Sequence, residues 1–192
     1  MKSSMKEIFM LGVILGIVSM IAALGLSITY SVTKEKIAEQ AVLALKNAQK
    51  EIFPGEMQFD LQEDMTGKTN GSTMIKEFYT VSGPNKEKVG YLATATTSGY
   101  GGPIVFIIGF SQDGFIKSVK VTENTETPGL GANLSKAFFL DQFTQKSISD
   151  AFIVKKDVKA ITAATISSKA LSNGIKALID ISKTSLTGEE ND

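Results

Sequence analysis

The 192-residue chain balances 20 basic against 20 acidic residues, every basic one a Lys, and contains no His, Cys or Trp. Without a basic block there is no electrostatic footprint for nucleic acid. The missing residue types exclude Cys/His zinc sites, iron–sulfur ligation, His-ligated haem and any Ser-His-Asp or Cys-His dyad, so redox work here requires a borrowed organic cofactor.

The length suits one ordinary domain plus an anchor. Residues 1–33 read as a short N-terminal tip and a transmembrane helix, because Ile8 to Thr33 holds no charge and exceeds the roughly 30 Å hydrocarbon core at about 1.5 Å per residue. A cleaved signal peptide would have a shorter apolar core of about 7 to 15 residues and a small-x-small site. Lys2, Lys6 and the amino terminus on one side nearly balance Lys34 and Lys36 on the other, so charge alone does not orient the span. Gly12-x-x-x-Gly16 either admits a neighbouring helix or reflects the ordinary frequency of glycine in spans.

Residues 34–55 change to a soluble amphipathic pattern, with Ile37, Ala41, Leu45, Ala48 and Ile52 on one stripe. This predicts a stalk helix continuing the span and stopped by Pro54-Gly55. Glu56 to Ser72 lacks a sustained period and reads as an irregular connection; Asp60, Glu63 and Asp64 lack the ligand order of a calcium loop and read as a solvated face.

Strand signals follow at Lys76–Val81, Val89–Thr97, Ile104–Phe110 and Phe115–Thr122, the last two joined by Asp113-Gly114. They predict an antiparallel meander whose third run is the most deeply buried. Gly99-Tyr100-Gly101-Gly102-Pro103 lies between two strands; its glycines either let backbone approach a planar ligand or make a tight loop. Glu123 to Gly131 is a turn-rich loop in which Pro128-Gly129 suits a type II turn. Leu134 to Phe143 predicts a short helix with Phe138, Phe139 and Phe143 in the core. Phe152–Val154 predicts a strand returning to the sheet.

The closing helix carries Ile166, Ala170, Leu171, Ile175, Leu178, Ile179 and Ser182 at three-to-four spacing. Thr162 to Ser168 therefore occupies its N-terminal turn. Free N–H groups and the positive end of the dipole favour an anion there. A plain Ser/Thr-rich N-cap would have the same composition.

Thr162-Ala163-Ala164-Thr165 resembles the Ser/Thr-Gly-Ala-Thr flavinylation motif of the FMN-binding domain family. That family includes the G subunit of the Rnf ion-translocating oxidoreductase complex and the C subunit of sodium-translocating NADH:quinone reductase. Glu126-Thr127-Pro128-Gly129-Leu130-Gly131 is similar to a second family signature, and Gly99 to Pro103 matches a third in order and spacing. The resemblance covers the chain from about residue 90 to about residue 180.

The resemblance implies an α+β fold: one N-terminal transmembrane helix and stalk, then an extracytoplasmic FMN-binding domain over 56–192, an antiparallel sheet with flanking helices. It implies FMN esterified through its phosphate to Thr165 by a dedicated flavin transferase. Thr162, Ala163, Ala164, Ile166, Glu126, Thr127, Gly129, Leu130, Gly131 and Tyr100 would surround the cofactor. No side chain is assigned a catalytic or metal-binding role. The chain would be an electron-transfer subunit, not catalytic alone, in a cell-membrane complex coupling ferredoxin:NAD⁺ electron transfer to Na⁺ or H⁺ movement. Its partners would be the other membrane and redox subunits; the short chain favours Rnf over the quinone reductase.

Two positions depart from the motif. Ala163 stands where family members often have Gly, which is compatible with a negative φ. Lys159 stands where an acidic residue is usual, with Asp157 two residues earlier as a possible substitute. The rival readings are an anchored structural subunit without flavin and an outer-face flavoprotein serving another acceptor.

Overall fold

The computed structural model describes residues 2–187, with side chains from Lys6 onward. Lys2 and the amino terminus, used in the charge comparison, and residues 188–192 of the expected domain lie outside the described side chains. The chain divides into two compact units, Met1–Ala44 and Leu45–Asp192.

One helix, α1 (Lys2–Ile52), accounts for all that is described of the first unit. From Lys6 it is long and apolar enough to cross a membrane. The hydroxyls of Thr29, Ser31 and Thr33 near the end of the uncharged run donate to carbonyls one turn back, at 2.9, 2.9 and 2.8 Å. Those bonds satisfy the hydroxyl groups within the helix itself. The helix ends where expected: Phe53 N–H makes a last bond to the Gln49 carbonyl at 2.9 Å, and Pro54 precedes Gly55 at φ 103°.

The second unit is built on a six-stranded sheet of β1 (Gln58–Leu61), β2 (Thr69–Asn70), β3 (Thr73–Ser82), β4 (Lys88–Ser98), β5 (Pro103–Ser111) and β6 (Ile116–Asn124). The order is β1-β3-β4-β5-β6, with β2 added to β3 and every pairing antiparallel. This is the expected meander. The segment read as irregular instead supplies β1 and β2, too short and too exposed to carry an alternating pattern. A register shift between Ile75 and Glu77 lets Ile75 and Phe78, three residues apart, face the same core. The β5–β6 hairpin closes through Gln112-Asp113-Gly114, with Gly114 at φ 75° and Ser111 N–H bonded to the Phe115 carbonyl at 2.8 Å.

Alternation sorts the strands onto two apolar layers. Ala93 and Ala95 of β4 and Ile104, Phe106, Ile108 and Phe110 of β5 face the main core. There they meet α3 (Thr165–Thr187) through Leu171, Ile175, Leu178 and Ile179. Leu92 and Ile107 point the other way, joining Val81 against Ala48 and Ile52 from the end of α1 and Phe53 just after it. Strand β5 is thus covered on both faces, which is why it reads as a continuous apolar run.

Gly109 sits where a Cβ would collide with Ile52 Cγ2. Gly109→Val should therefore destabilise this unit by about 1–2 kcal/mol, overpacking outweighing a β-propensity gain of under about 1 kcal/mol. Thermal unfolding followed by near-UV circular dichroism reads the difference.

The region between β6 and α3 departs from expectation in two places. Gly131–Ser135 and Asp141–Phe143 are 3₁₀ turns flanking α2 (Ala137–Leu140). Phe139 and Phe143 are buried as expected, but Phe138 is 69% exposed, because this short broken helix offers only one side to the core. Phe152–Val154 is not a returning strand. Phe152 and Lys155 have φ of 53° and 74°, so the segment coils into a turn closed by an isolated bridge between Val154 and Val158.

Asp157 holds that turn. Its carboxylate accepts the N–H groups of Phe152 at 2.9 Å and Ile153 at 2.5 Å, and Lys146 lies 3.3 Å away. Desolvation raises its pKa, but the Ile153 N–H, Lys146 and the Phe152 N–H together outweigh it and hold the carboxyl below the ordinary aspartate value.

Candidate functional site

The turn between β4 and β5 is closed by Gly99 N–H donating to the Gly102 carbonyl at 2.8 Å. Its glycines are explained by crowding. A Cβ at Gly101 would lie 2.8 Å from the Thr125 carbonyl, one at Gly102 would collide with Thr125 Oγ1, and one at Gly99 with the Glu126 carboxylate. The tight-loop alternative is therefore sufficient for these glycines. Tyr100 at the corner keeps its side chain 69% exposed.

Glu126, 5% exposed, is where the separate segments meet. Its Oε1 accepts Tyr100 N–H at 2.7 Å; its Oε2 accepts Gly101 N–H at 3.3 Å and the Ser167 hydroxyl at 2.8 Å. One buried carboxylate thus ties the β4–β5 turn and the first turn of α3 to the loop after β6. Gly131 comes back to the same point: a Cβ there would lie 2.6 Å from Glu126 Oε2 and 3.0 Å from Ser167 Oγ. Between them, Leu130 N–H bonds the Thr127 carbonyl at 3.2 Å with Gly129 at φ 78°, the Pro-Gly turn expected. Thr127 is exposed and Leu130 is 42% exposed.

The approach to α3 is a second turn, with Ala164 N–H donating to the Ile161 carbonyl at 3.0 Å. Ala163 stands at φ 63°, against the expectation of a negative φ. The turn needs the left-handed region there, the conformation at which a side chain costs about 1–2 kcal/mol. Ala163→Gly should accordingly raise the stability of this unit by about 1 kcal/mol, less than the full strain because Gly is freer when unfolded. Denaturant titration of the two proteins checks this.

Ala164 is buried and its carbonyl accepts Ser168 N–H at 2.9 Å, which makes Ala164 the N-cap of α3 and Thr165 its first residue. An alanine N-cap has no oxygen to offer. The nearby hydroxyls do not substitute for it: Ser167 is bonded to Glu126, and Ser168 donates to the Ala164 carbonyl at 2.9 Å while accepting Ile161 N–H at 3.0 Å. Among the described residues, the N–H groups of Thr165, Ile166 and Ser167 have no partner. The Ser/Thr-rich stretch is therefore not an ordinary capping arrangement.

Thr165 is half-buried, Thr162 and Ala163 are exposed, and Ile166 is 60% exposed, off the buried stripe to which periodicity assigns it. Of the expected site residues, Glu126, Gly131, the Tyr100 backbone and the Thr165 turn meet in one place; Thr127, Gly129 and Leu130 form its exposed loop. Sequence reading missed Ser167, whose only signal is its place at the third helical position. It also missed Gln142, which bonds the Lys159 N–H at 2.7 Å and carbonyl at 3.2 Å and so fixes the segment leading into the turn. Lys159 keeps its side chain exposed, and the Asp157 carboxylate is committed to the turn at Phe152. Among the described residues, no cluster of three or more His, Cys, Asp or Glu side chains is placed to hold a metal.

The class these features define is that of the FMN-binding domain proteins: the FMN-binding domain model matches residues 99–180, and the RnfG N-terminal region model matches residues 1–52. A crystal structure of Shewanella oneidensis NqrC shares the fold, with a TM-score of 0.54 at 15% identity over 72% of this chain and 85% of that one. The G subunit of the Na⁺-translocating ferredoxin:NAD⁺ oxidoreductase complex of Acetobacterium woodii is 35% identical, over 92% of each chain. Its counterpart in the proton-translocating ferredoxin:NAD⁺ oxidoreductase complex of Clostridium ljungdahlii is 36% identical over 130 residues, 65% of this chain and 68% of that one. The chain belongs to the family of G subunits of ion-translocating oxidoreductase complexes.

Proposed function

We propose that this chain is a membrane-anchored electron-transfer subunit carrying FMN esterified to Thr165, in a complex that couples ferredoxin:NAD⁺ electron transfer to ion movement. The observation that carries the reading is the uncapped start of α3. Three free N–H groups and the positive end of a 23-residue helix stand beside a threonine hydroxyl that accepts no other assignment. A phosphate fits that donor set, because it supplies acceptor oxygens and negative charge where the helix lacks both.

When bound, FMN supplies one- and two-electron transfer, chemistry that the side chains of this chain lack. Thr165 Oγ1 would form the O–P bond, giving up its proton. Since free FMN could react only by expelling hydroxide, the phosphoryl group has to come from an activated flavin nucleotide whose pyrophosphate bond breaks, on a separate transferase. The first-turn N–H groups would hold the phosphate. Thr162, Ala163, Ala164 and Ile166 shape the attachment turn. Glu126 positions it through Ser167 and, with Gly131, fixes the adjoining loop. The exposed apolar surfaces of Tyr100, Leu130 and Ile166, with Thr127 and Gly129, border the place where the ring system would lie.

In this reading residues 1–33 anchor the chain, 34–55 form the stalk, and 56–192 stand on the outer face with the N-terminus cytoplasmic. Covalent attachment there prevents loss of a cofactor that no cytosolic pool could replace. The partners are the remaining subunits of the complex. Relatives include both Na⁺- and proton-translocating complexes, so the reading assigns no ion.

The test is to purify the chain from its native membrane, denature it and examine the gel band for flavin fluorescence, then map the peptides by mass. A fluorescent band with the added mass on the peptide containing Thr165 is the expected result. A dark band at unmodified mass would make the non-flavinylated structural subunit the better reading.

A further inference from the structure

The first turn of α3 contains no acidic residue, and the first charged side chain after it is Lys169. This arrangement is the reverse of what the helix dipole favours, since a cation near the N-terminus adds positive charge to positive charge. Lys169 is exposed and, among the described residues, takes part in no ion pair; the pair that the helix does carry, Lys176 with Asp180 at 2.9 Å, begins two turns further on. The carboxylate nearest the helix start, Glu126, does not compensate it. Glu126 binds the Ser167 hydroxyl, and a residue two positions before Lys169 lies about 200° away around the helix, on the buried side.

Lys169 does share a side of the helix with Thr165. Residues four apart stack one turn above another with Cβ atoms about 5–6 Å apart, within reach of a lysine stem. We propose that Lys169 is the counter-ion of the phosphodiester on Thr165, its ammonium closing on the phosphate oxygens from one side while the free N–H groups of the first turn hold them from the other. The inference rests on the covalent attachment proposed above. It gives the unfavourable charge placement a purpose: the attached anion reverses the sign of the local potential, and the lysine then restrains the tether and the flavin carried on it.

The test uses the full-length chain flavinylated in its native host and purified in detergent, with time-resolved fluorescence anisotropy of the flavin as the readout. An exposed ion pair of this kind shifts the ratio of held to free tether by about two- to fivefold. Lys169→Gln should therefore enlarge the fast local component of the decay by that order. In wild type the component should grow as NaCl is raised, because salt screens the pair; in Lys169→Gln that growth should be clearly smaller, since only the attraction of the helix end remains to be screened, and Lys169→Arg should restore the wild-type response. A Lys169→Gln decay identical to wild type at every salt concentration, on protein whose peptide map shows flavin at Thr165, would overturn the counter-ion assignment and leave the attachment standing. Wild-type protein with no flavin at Thr165 would overturn both.

Discussion

Thr165→Ala will leave the second unit folded and abolish both covalent flavin and electron transfer through the complex. The folding half of that expectation follows from the side chain's surroundings. Thr165 is half-buried, its hydroxyl has no partner among the described residues, and alanine is the better helix former, so the change in stability should stay under about 1 kcal/mol. The functional half follows from the absence of a substitute. Ser167 and Ser168 are buried and hydrogen-bonded, and Thr162 lies before the helix, on the exposed turn. Flavin per polypeptide should fall from near stoichiometric to background, and ferredoxin:NAD⁺ turnover of the assembled complex should fall with it. Thr165→Ser, which keeps the nucleophilic oxygen, should retain flavin. A variant without the hydroxyl but with turnover intact would sink the electron-carrier reading.

Glu126→Ala should produce the largest loss of stability of any single change at the site, about 3 kcal/mol. Truncation strands three donors at once: the N–H groups of Tyr100 and Gly101 and the Ser167 hydroxyl. Hydrogen bonds to a charged acceptor are worth about 1.5–3 kcal/mol each, and solvent entering the gap recovers part of the sum. Glu126→Gln keeps one carbonyl acceptor of the same shape, so its loss should be about half as large. Denaturant unfolding measures the stability. Hydrogen exchange at Tyr100 and Gly101 is the sharper readout, because a local role predicts faster exchange there even in the glutamine variant. Unchanged protection would mean that the turn holds itself.

Much of this fold is legible in the sequence. The long apolar helix, its stop at Pro54-Gly55, the four long strands and α3 all carry strong local signals: charge absence, helix breakers, and apolar runs of the right length. Strands β1 and β2 have no such signal, since their pairing partner β3 stabilises them and their own residues do not. Phe152–Val154 looks like a strand by composition, but the Asp157 carboxylate captures its N–H groups, and no window of apolar residues encodes that capture. Ile166 fits a helical period and is nonetheless exposed, because the core face begins one position later, at Ser167. The site is legible in parts only. The motifs mark Glu126, Gly131 and Thr165, but that a single carboxylate joins the β4–β5 turn to α3 is a long-range fact, with a separation of 41 residues between Glu126 and Ser167. Ala163 shows the limit from the other side, since its positive φ depends on how the turn must enter the helix.

The seat of Ile52 and Phe53 on the sheet bears on how this protein can be taken apart. Val81, Leu92 and Ile107 are buried beneath the last turns of α1, and Gly109 is kept bare so that Ile52 can fit. The minimal autonomous fragment therefore starts inside the long helix, ahead of Leu45. Severing the chain at Pro54, where the helix breaks and a linker would ordinarily be sought, uncovers an aliphatic hollow in the middle of the sheet, the kind of surface that drives self-association.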